Sequence, residues 1–364
     1  MTNTPSTKSI MRKAIWSLFA FSVAITLGVL IFWGDSVDEL LAQMEPTKFG
    51  WALILLSMGL PTVAMRWKSL LAEDERERSN PLFMTALLMI GHLLNTTIPG
   101  PAGEAISGWM LHKKYDVDFG NALSALLVSR ILGLVSAFLI ACAMFAWAPF
   151  IVDPEYVDKL VYVSILLGCM GLAASSITLF PAYPKKVLHK IRTFAFLQNA
   201  RVQRLFDFAD KLLDSFIETA KRGLPAYLRA FFWCVSGHSM VALGIFYTVQ
   251  ALGYSVGWTA IFFTYSSSII FSLVMFLFPG STVGFDILFS GILHVTGNLP
   301  IEVAILVASV VRFHQSLIAV IGGALMVFSS KGLIEEAMLF AKTQWQDTNH
   351  VARKHTAIEK DESS

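Results

Sequence analysis

Charge is what this sequence has least of. Only 15% of its 364 residues are Asp, Glu, Lys or Arg, and 55% are hydrophobic, whereas a soluble domain carries about a quarter charged. That is too little charge to cover a soluble protein of this length, and the mean hydropathy of +0.61 agrees. Cysteine is equally sparse. Cys142, Cys169 and Cys234 lie inside apolar runs without paired spacing, which argues against a disulfide framework or a metal site. No Gly-rich ATP-binding loop occurs, no cofactor is expected, and a net charge of +2 gives nucleic acid nothing to bind. What remains is an integral membrane protein whose work is done within or across a bilayer.

The apolar runs define its spans, since a crossing helix needs about twenty apolar residues. They are Ala14 to Trp33, Phe49 to Met65, Phe119 to Trp147, Leu160 to Pro184, Ala230 to Phe285 (long enough for two passes) and Val303 to Ser330. No small-x-small cleavage motif follows Trp33, so the first run is expected to be retained. The stretch Glu73-Asp74-Glu75-Arg76-Glu77-Arg78 reads as a solvated loop. Lys185 to Arg222 holds nine basic and four acidic residues, with apolar residues at helical spacing, and predicts an amphipathic helix at the membrane surface. Residues 342–364 read as a disordered polar tail, leaving 1–341 as the membrane domain. Trp33, Trp51, Trp147 and Trp258 suit interfacial anchoring.

Basic loops set the orientation. Arg66 to Arg78, Lys113-Lys114, Lys185 to Arg222 and Lys331 onward are assigned to the cytoplasm, and the acidic loop at Asp153, Glu155 and Asp158 to the outside. Both termini are then cytoplasmic, in a multi-pass inner-membrane protein. Arg78 and Lys114 fall on one side, so the segment between them must enter and return, bending at Pro99-Gly100-Pro101. Its return arm, Ala102 to His112, would be roughly 16 Å long, about half a bilayer core.

The pattern recurs. Pro99-Gly100 is followed by Gly103-Glu104, and Arg130 comes 26 residues after Glu104; Pro279-Gly280 is followed by Gly284 and Asp286, and Arg312 comes 26 residues after Asp286. Two repeat units, about 81–147 and 258–330, are predicted to be inverted relative to one another, as in many transporters. The fold class is therefore an all-α polytopic membrane protein, with about six spanning helices and two re-entrant hairpins broken at Pro-Gly. Helix N-termini at the breaks favour an anion, and Arg130 and Arg312 could add charge-assisted hydrogen bonds to a phosphate. Asn95, Gly100, Gly103, Glu104, Arg130, Gly280, Asp286 and Arg312 are the candidate substrate-binding residues. A purely structural alternative stands beside this: the arginines could be ion-pair partners of the acids. His92, His238 and His314 read as hydrogen-bonded core residues in preference to a proton relay.

The stretch Asn95 to Glu104, its leucine-containing arm to Leu111, Val128-Ser129-Arg130 and the second Pro-Gly unit with Arg312 resemble the lysylphosphatidylglycerol synthase transmembrane-region family of flippase-like proteins. The resemblance spans nearly the whole hydrophobic chain. It implies a polytopic inner-membrane protein that flips lipids or assists glycolipid synthesis and export. This sequence departs from the family pattern at Ser107, Ser129 and Gly133, where charged residues are common, and at Asp286, where Glu is. Only a short tail follows Ser330, so the soluble aminoacyl-transferase domain of bifunctional members is expected to be lacking, and lysylphosphatidylglycerol synthesis with it.

The expected function is translocation of an anionic phospholipid, glycolipid or lipid-linked intermediate between leaflets, downhill or coupled to an ion gradient, and no enzymatic activity is expected. The alternatives are a membrane transferase using Glu104 and His112, or a non-transporting accessory subunit that docks partner enzymes of a lipid pathway through the 185–222 segment.

Overall fold

The computed structural model describes residues 42–97, 102–147, 182–192, 200–275 and 281–329, with a few isolated positions besides. Within them the chain is helical, with no strand. The helices are α1 (Pro46–Ser57), α2 (Gly59–Ser69), α3 (Glu73–Arg78), α4 (Pro81–Thr97), α5 (Ala102–Tyr115), α6 (Phe119–Trp147), α7 (Ala182–Arg192), α8 (Ala200–Ala220), α9 (Leu224–Ala251), α10 (Trp258–Met275), α11 (Ser281–Gly297) and α12 (Ile301–Ser329). Four described segments are long and apolar enough to cross a membrane: Pro46–Ser69, Phe119–Trp147, Leu224–Ala251 and Ile301–Ala324. The first joins α1 and α2 through Met58, whose backbone stays right-handed helical. The expected run Ala14 to Trp33 lies outside the described residues, as does most of the run Leu160 to Pro184.

Two stretches differ from their sequence reading. The charged run at 73–78 is a helix, and Glu75 is buried. Its carboxylate accepts hydrogen bonds from the Ala72 amide at 3.1 Å, the Asp118 amide at 3.3 Å and Asn121 Nδ2 at 3.4 Å. It thereby satisfies donors at the start of α6 that no helical carbonyl can reach. The amphipathic segment is two helices, and α8 packs on α6. Phe216 is buried in the core there, and Thr219 bonds Ser124 at 3.1 Å. Its charged face is matched to α7 by Arg192–Asp207 at 2.8 Å and by Lys185 with Asp210 and Asp214. The Asp214 carboxylate holds the Lys185 ammonium above its ordinary pKa range.

The helices flanking each expected break pack on each other, α4 on α5 and α10 on α11, while the breaks themselves lie outside the described residues. On α4 and α5, Ser107 Oγ lies 3.1 Å from the Leu87 carbonyl, and a Cβ on Gly91 would sit 3.1 Å from the Gly103 carbonyl. On α10 and α11, the hydroxyls of Thr264 and Thr296 meet at 2.9 Å.

The packing divides the described helices into two equivalent sets. One is the span α1–α2, the arm α4, the return α5 and the long helix α6; the other is α9, α10, α11 and α12. Exchanging the sets leaves the helix neighbours unchanged: α4 packs on α12 as α10 packs on α6, and α2 packs on α4 as α9 packs on α10. The two first spans pack on each other. A Cβ on Gly244 would lie 2.8 Å from Leu56 Cγ, one on Gly59 2.8 Å from Val241 Cγ2, and one on Gly237 2.4 Å from Thr62 Oγ1. Residue numbers rise along one helix and fall along the other, so these spans are antiparallel. Gly59 and Val241 are also 182 residues apart, the same offset that separates Glu104 from Asp286 and Arg130 from Arg312. Equivalent residues touch each other only on a two-fold axis, so the pseudo-axis relating the repeats passes here. The glycines are what let the backbones come this close, and in lipid close packing of small residues is a main source of helix association.

Candidate functional site

Each unit sets one acid against one arginine. Arg130 and Arg312 are both the twelfth of 29 residues in α6 and α12, near the middle of their helices. Arg130 Nη2 forms an ion pair with Glu104 Oε1. Arg312 holds Asp286 from two nitrogens, Nη2 to Oδ1 at 2.8 Å and Nε to Oδ1 and Oδ2 at 3.2 Å each. Its guanidinium carbon lies 5.3 Å from the centre of the Phe285 ring, a cation–π contact that adds to the pair. The acids and arginines paired by a shared spacing of 26 are thus paired in space.

The two pairs are not alike in surroundings. Glu104 opens α5 and is buried, with 2% of its side chain exposed, whereas the Arg130 side chain is 46% exposed. Arg312 and Asp286 are 11% and 22% exposed. Arg130 is therefore half exposed. Asp286 lies beyond the first turn of α11, which begins at Ser281, so helix-end stabilisation applies to Glu104 alone. Gly103 packs in the hairpin, its carbonyl accepting from Ser107 Oγ at 2.8 Å. Gly100 and Gly280 lie outside the described residues. Asn95 falls within α4, but its side chain lies outside what is described.

The equivalence runs further than the acid and arginine. His112 Nδ1 lies 2.7 Å from the Val117 carbonyl, and His294 Nδ1 2.5 Å from the Leu299 carbonyl; His294 and Leu299 stand at the same 182-residue offset. Asp116 and Asn298, offset alike, both have positive φ, 54° and 48°, where Asp and Asn are tolerated better than other side chains. A histidine eight residues and an Asx twelve residues after each acid was a signal present in the sequence and not used.

Between the sets lies a cavity of about 230 Å³, whose lining includes Arg66, His92, Cys234, His238, Tyr265 and His314. Sequence reading assigned Arg66 to a cytoplasmic basic loop. It is instead inside α2 and only 7% exposed. Its guanidinium lies against the α6 backbone: a Cβ on Gly133 would be 2.3 Å from Nη1, so a residue larger than glycine would displace it. His238 Nε2 donates to the Gly133 carbonyl at 2.9 Å. His314 Nε2 lies 3.0 Å from Ser57 Oγ, whose own proton is directed to the Leu53 carbonyl at 2.7 Å; Ser57 therefore accepts and His314 donates. Two of the three histidines are hydrogen-bonded core residues as expected, yet all three converge on this cavity, which spacing along the chain did not reveal. Among the described residues, no group of His, Cys, Asp and Glu is arranged to hold a metal.

No curated protein and no solved structure matches the chain. Residues 17–323 match the family model described as Lysylphosphatidylglycerol synthase TM region, which takes in both ion pairs and both sets of helices up to the last turns of α12, and the chain belongs to that family.

Proposed function

We propose that this chain translocates an anionic phospholipid, glycolipid or lipid-linked intermediate between leaflets, without enzymatic activity of its own. The observation that carries this reading is the ion pair repeated mid-helix in two antiparallel units, one of its arginines half exposed. An arginine within a span is tolerated where it meets water or a polar group and not where it faces hydrocarbon. Arg130 would then exchange its bond to Glu104 for one to a lipid headgroup phosphate. Each hairpin arm packs on the long helix of the opposite unit, so tightening one such contact while loosening the other would open the protein to one side and then to the other.

The transferase reading draws less support. Glu104 is tied to Arg130, and His112 to the Val117 carbonyl. The accessory-subunit reading needs a displayed surface on the 185–222 segment, where acidic residues of α8 are already paired with α7. Reconstitution of the full chain into liposomes with fluorescent phosphatidylglycerol in one leaflet tests the proposal. Exchange above that of protein-free vesicles is expected, falling at least tenfold in Arg130→Ala and in Arg312→Ala. Absence of exchange by folded wild-type protein, or full exchange by both variants, defeats it.

A further inference from the structure

The described spans hold four arginines: Arg229 is exposed near the start of α9, and Arg130 and Arg312 have carboxylates. Arg66 has none. Its Nη1 reaches only the Cys234 sulfur, at 3.7 Å, a weak acceptor, and its buried Nε has no hydrogen-bond partner. Taking a guanidinium out of water is costly unless an anion and acceptors replace the lost solvation. Tertiary structure nonetheless fixes it here, at the cost of a glycine at 133 and against the wall of a 230 Å³ cavity. Gln315 and Tyr265 line that cavity from other helices.

We propose that this cavity is a binding site for a phosphate-class oxyanion seated on Arg66, distinct from the two ion pairs. The arginine fork matches phosphate oxygens. The remaining polar groups come from α10 and α12, on other walls, which suits the oxygens of a tetrahedral anion better than the single plane of a carboxylate. Another part of the lining, Leu56, Leu60, Val63, Val241 and Ile318, is apolar and would accept the glycerol and first acyl carbons beside a phosphodiester. The site holds a ligand between the repeats, close to their pseudo-axis at Gly59 and Val241. It does not depend on whether that ligand is then moved.

The test is binding and not transport. Full-length protein in nanodiscs of zwitterionic phosphatidylcholine is titrated with phosphatidylglycerol, and separately with inorganic phosphate, with native mass spectrometry and thermal unfolding as readouts. A saturable phosphatidylglycerol site is expected, weakened at least tenfold by Arg66→Gln and partly restored by Arg66→Lys. Competition by phosphate would identify the free anion as the ligand; phosphatidylglycerol binding untouched by phosphate would identify the lipid headgroup. A ligand-free Arg66→Gln protein as stable as wild type, or more so, is also expected, because an uncompensated buried cation is removed. Equal binding by wild type and Arg66→Gln, binding of neither probe by wild type, or an Arg66→Gln protein destabilised without ligand and not rescued by Arg66→Lys, would each overturn the proposal.

Discussion

The two repeat units share a register to the residue, and yet their ion pairs differ in a way that register does not dictate. In the first, the acid is closed off and the arginine is open; in the second, both partners are largely covered and the arginine also rests on Phe285. Identical spacing therefore fixes which side chains meet, while the packing around them decides how far each is covered. The first unit leaves its arginine half exposed. The second covers its own.

Four substitution sets break or sharpen that contrast. The largest effect is expected at the axis, because Gly59 touches its own equivalent, Val241. Gly59→Leu forces the spans of both units apart and should destabilise the protein by about 3 kcal/mol or more, read as loss of cooperative thermal unfolding in detergent. Next come the ion pairs. Arg130→Ala strands a buried carboxylate and should cost about 3 kcal/mol, whereas Glu104→Gln leaves an exposed arginine and should cost about 1 kcal/mol. Arg312→Ala and Asp286→Asn should cost nearly equal amounts, about 2 kcal/mol each. Equal losses for Arg130→Ala and Glu104→Gln in denaturant titration would erase the difference between the units. Smaller still, His112→Phe and His294→Phe each remove one hydrogen bond to a carbonyl and should lower stability by about 1 kcal/mol, alike in the two units if their equivalence is real. Smallest of all, Asp116→Gly and Asn298→Gly should each stabilise by about 0.5 kcal/mol by relieving positive φ, visible as a small rise in unfolding temperature.

Much of this was legible in the chain. A run of twenty apolar residues has few fates, so the four described spans fall where hydropathy puts them. The 26-residue spacing of Glu104 and Arg130, and of Asp286 and Arg312, predicted partners because a hairpin return and a long helix of fixed rise bring those positions level. Other features were misread for reasons that are also physical. Arg66 closes an apolar run next to Trp67 and Lys68, and nothing local distinguishes it from a loop cation; only Gly133, far along the chain, makes room for it. Glu75 sits amid five other charged residues and is singled out only by the start of α6.

The sequence by itself determined that the chain is helical and apolar, where it breaks, and that it carries one motif twice, because helix length, backbone hydrogen bonding and residue spacing are local properties. Tertiary structure decided which buried arginine has no carboxylate partner among the described residues, which of the paired arginines is exposed, and that three histidines from three helices share a cavity with Arg66. Those outcomes depend on contacts between α2, α4, α6, α9 and α12, set by the fit of glycines against side chains on facing helices, which no periodicity within one helix records.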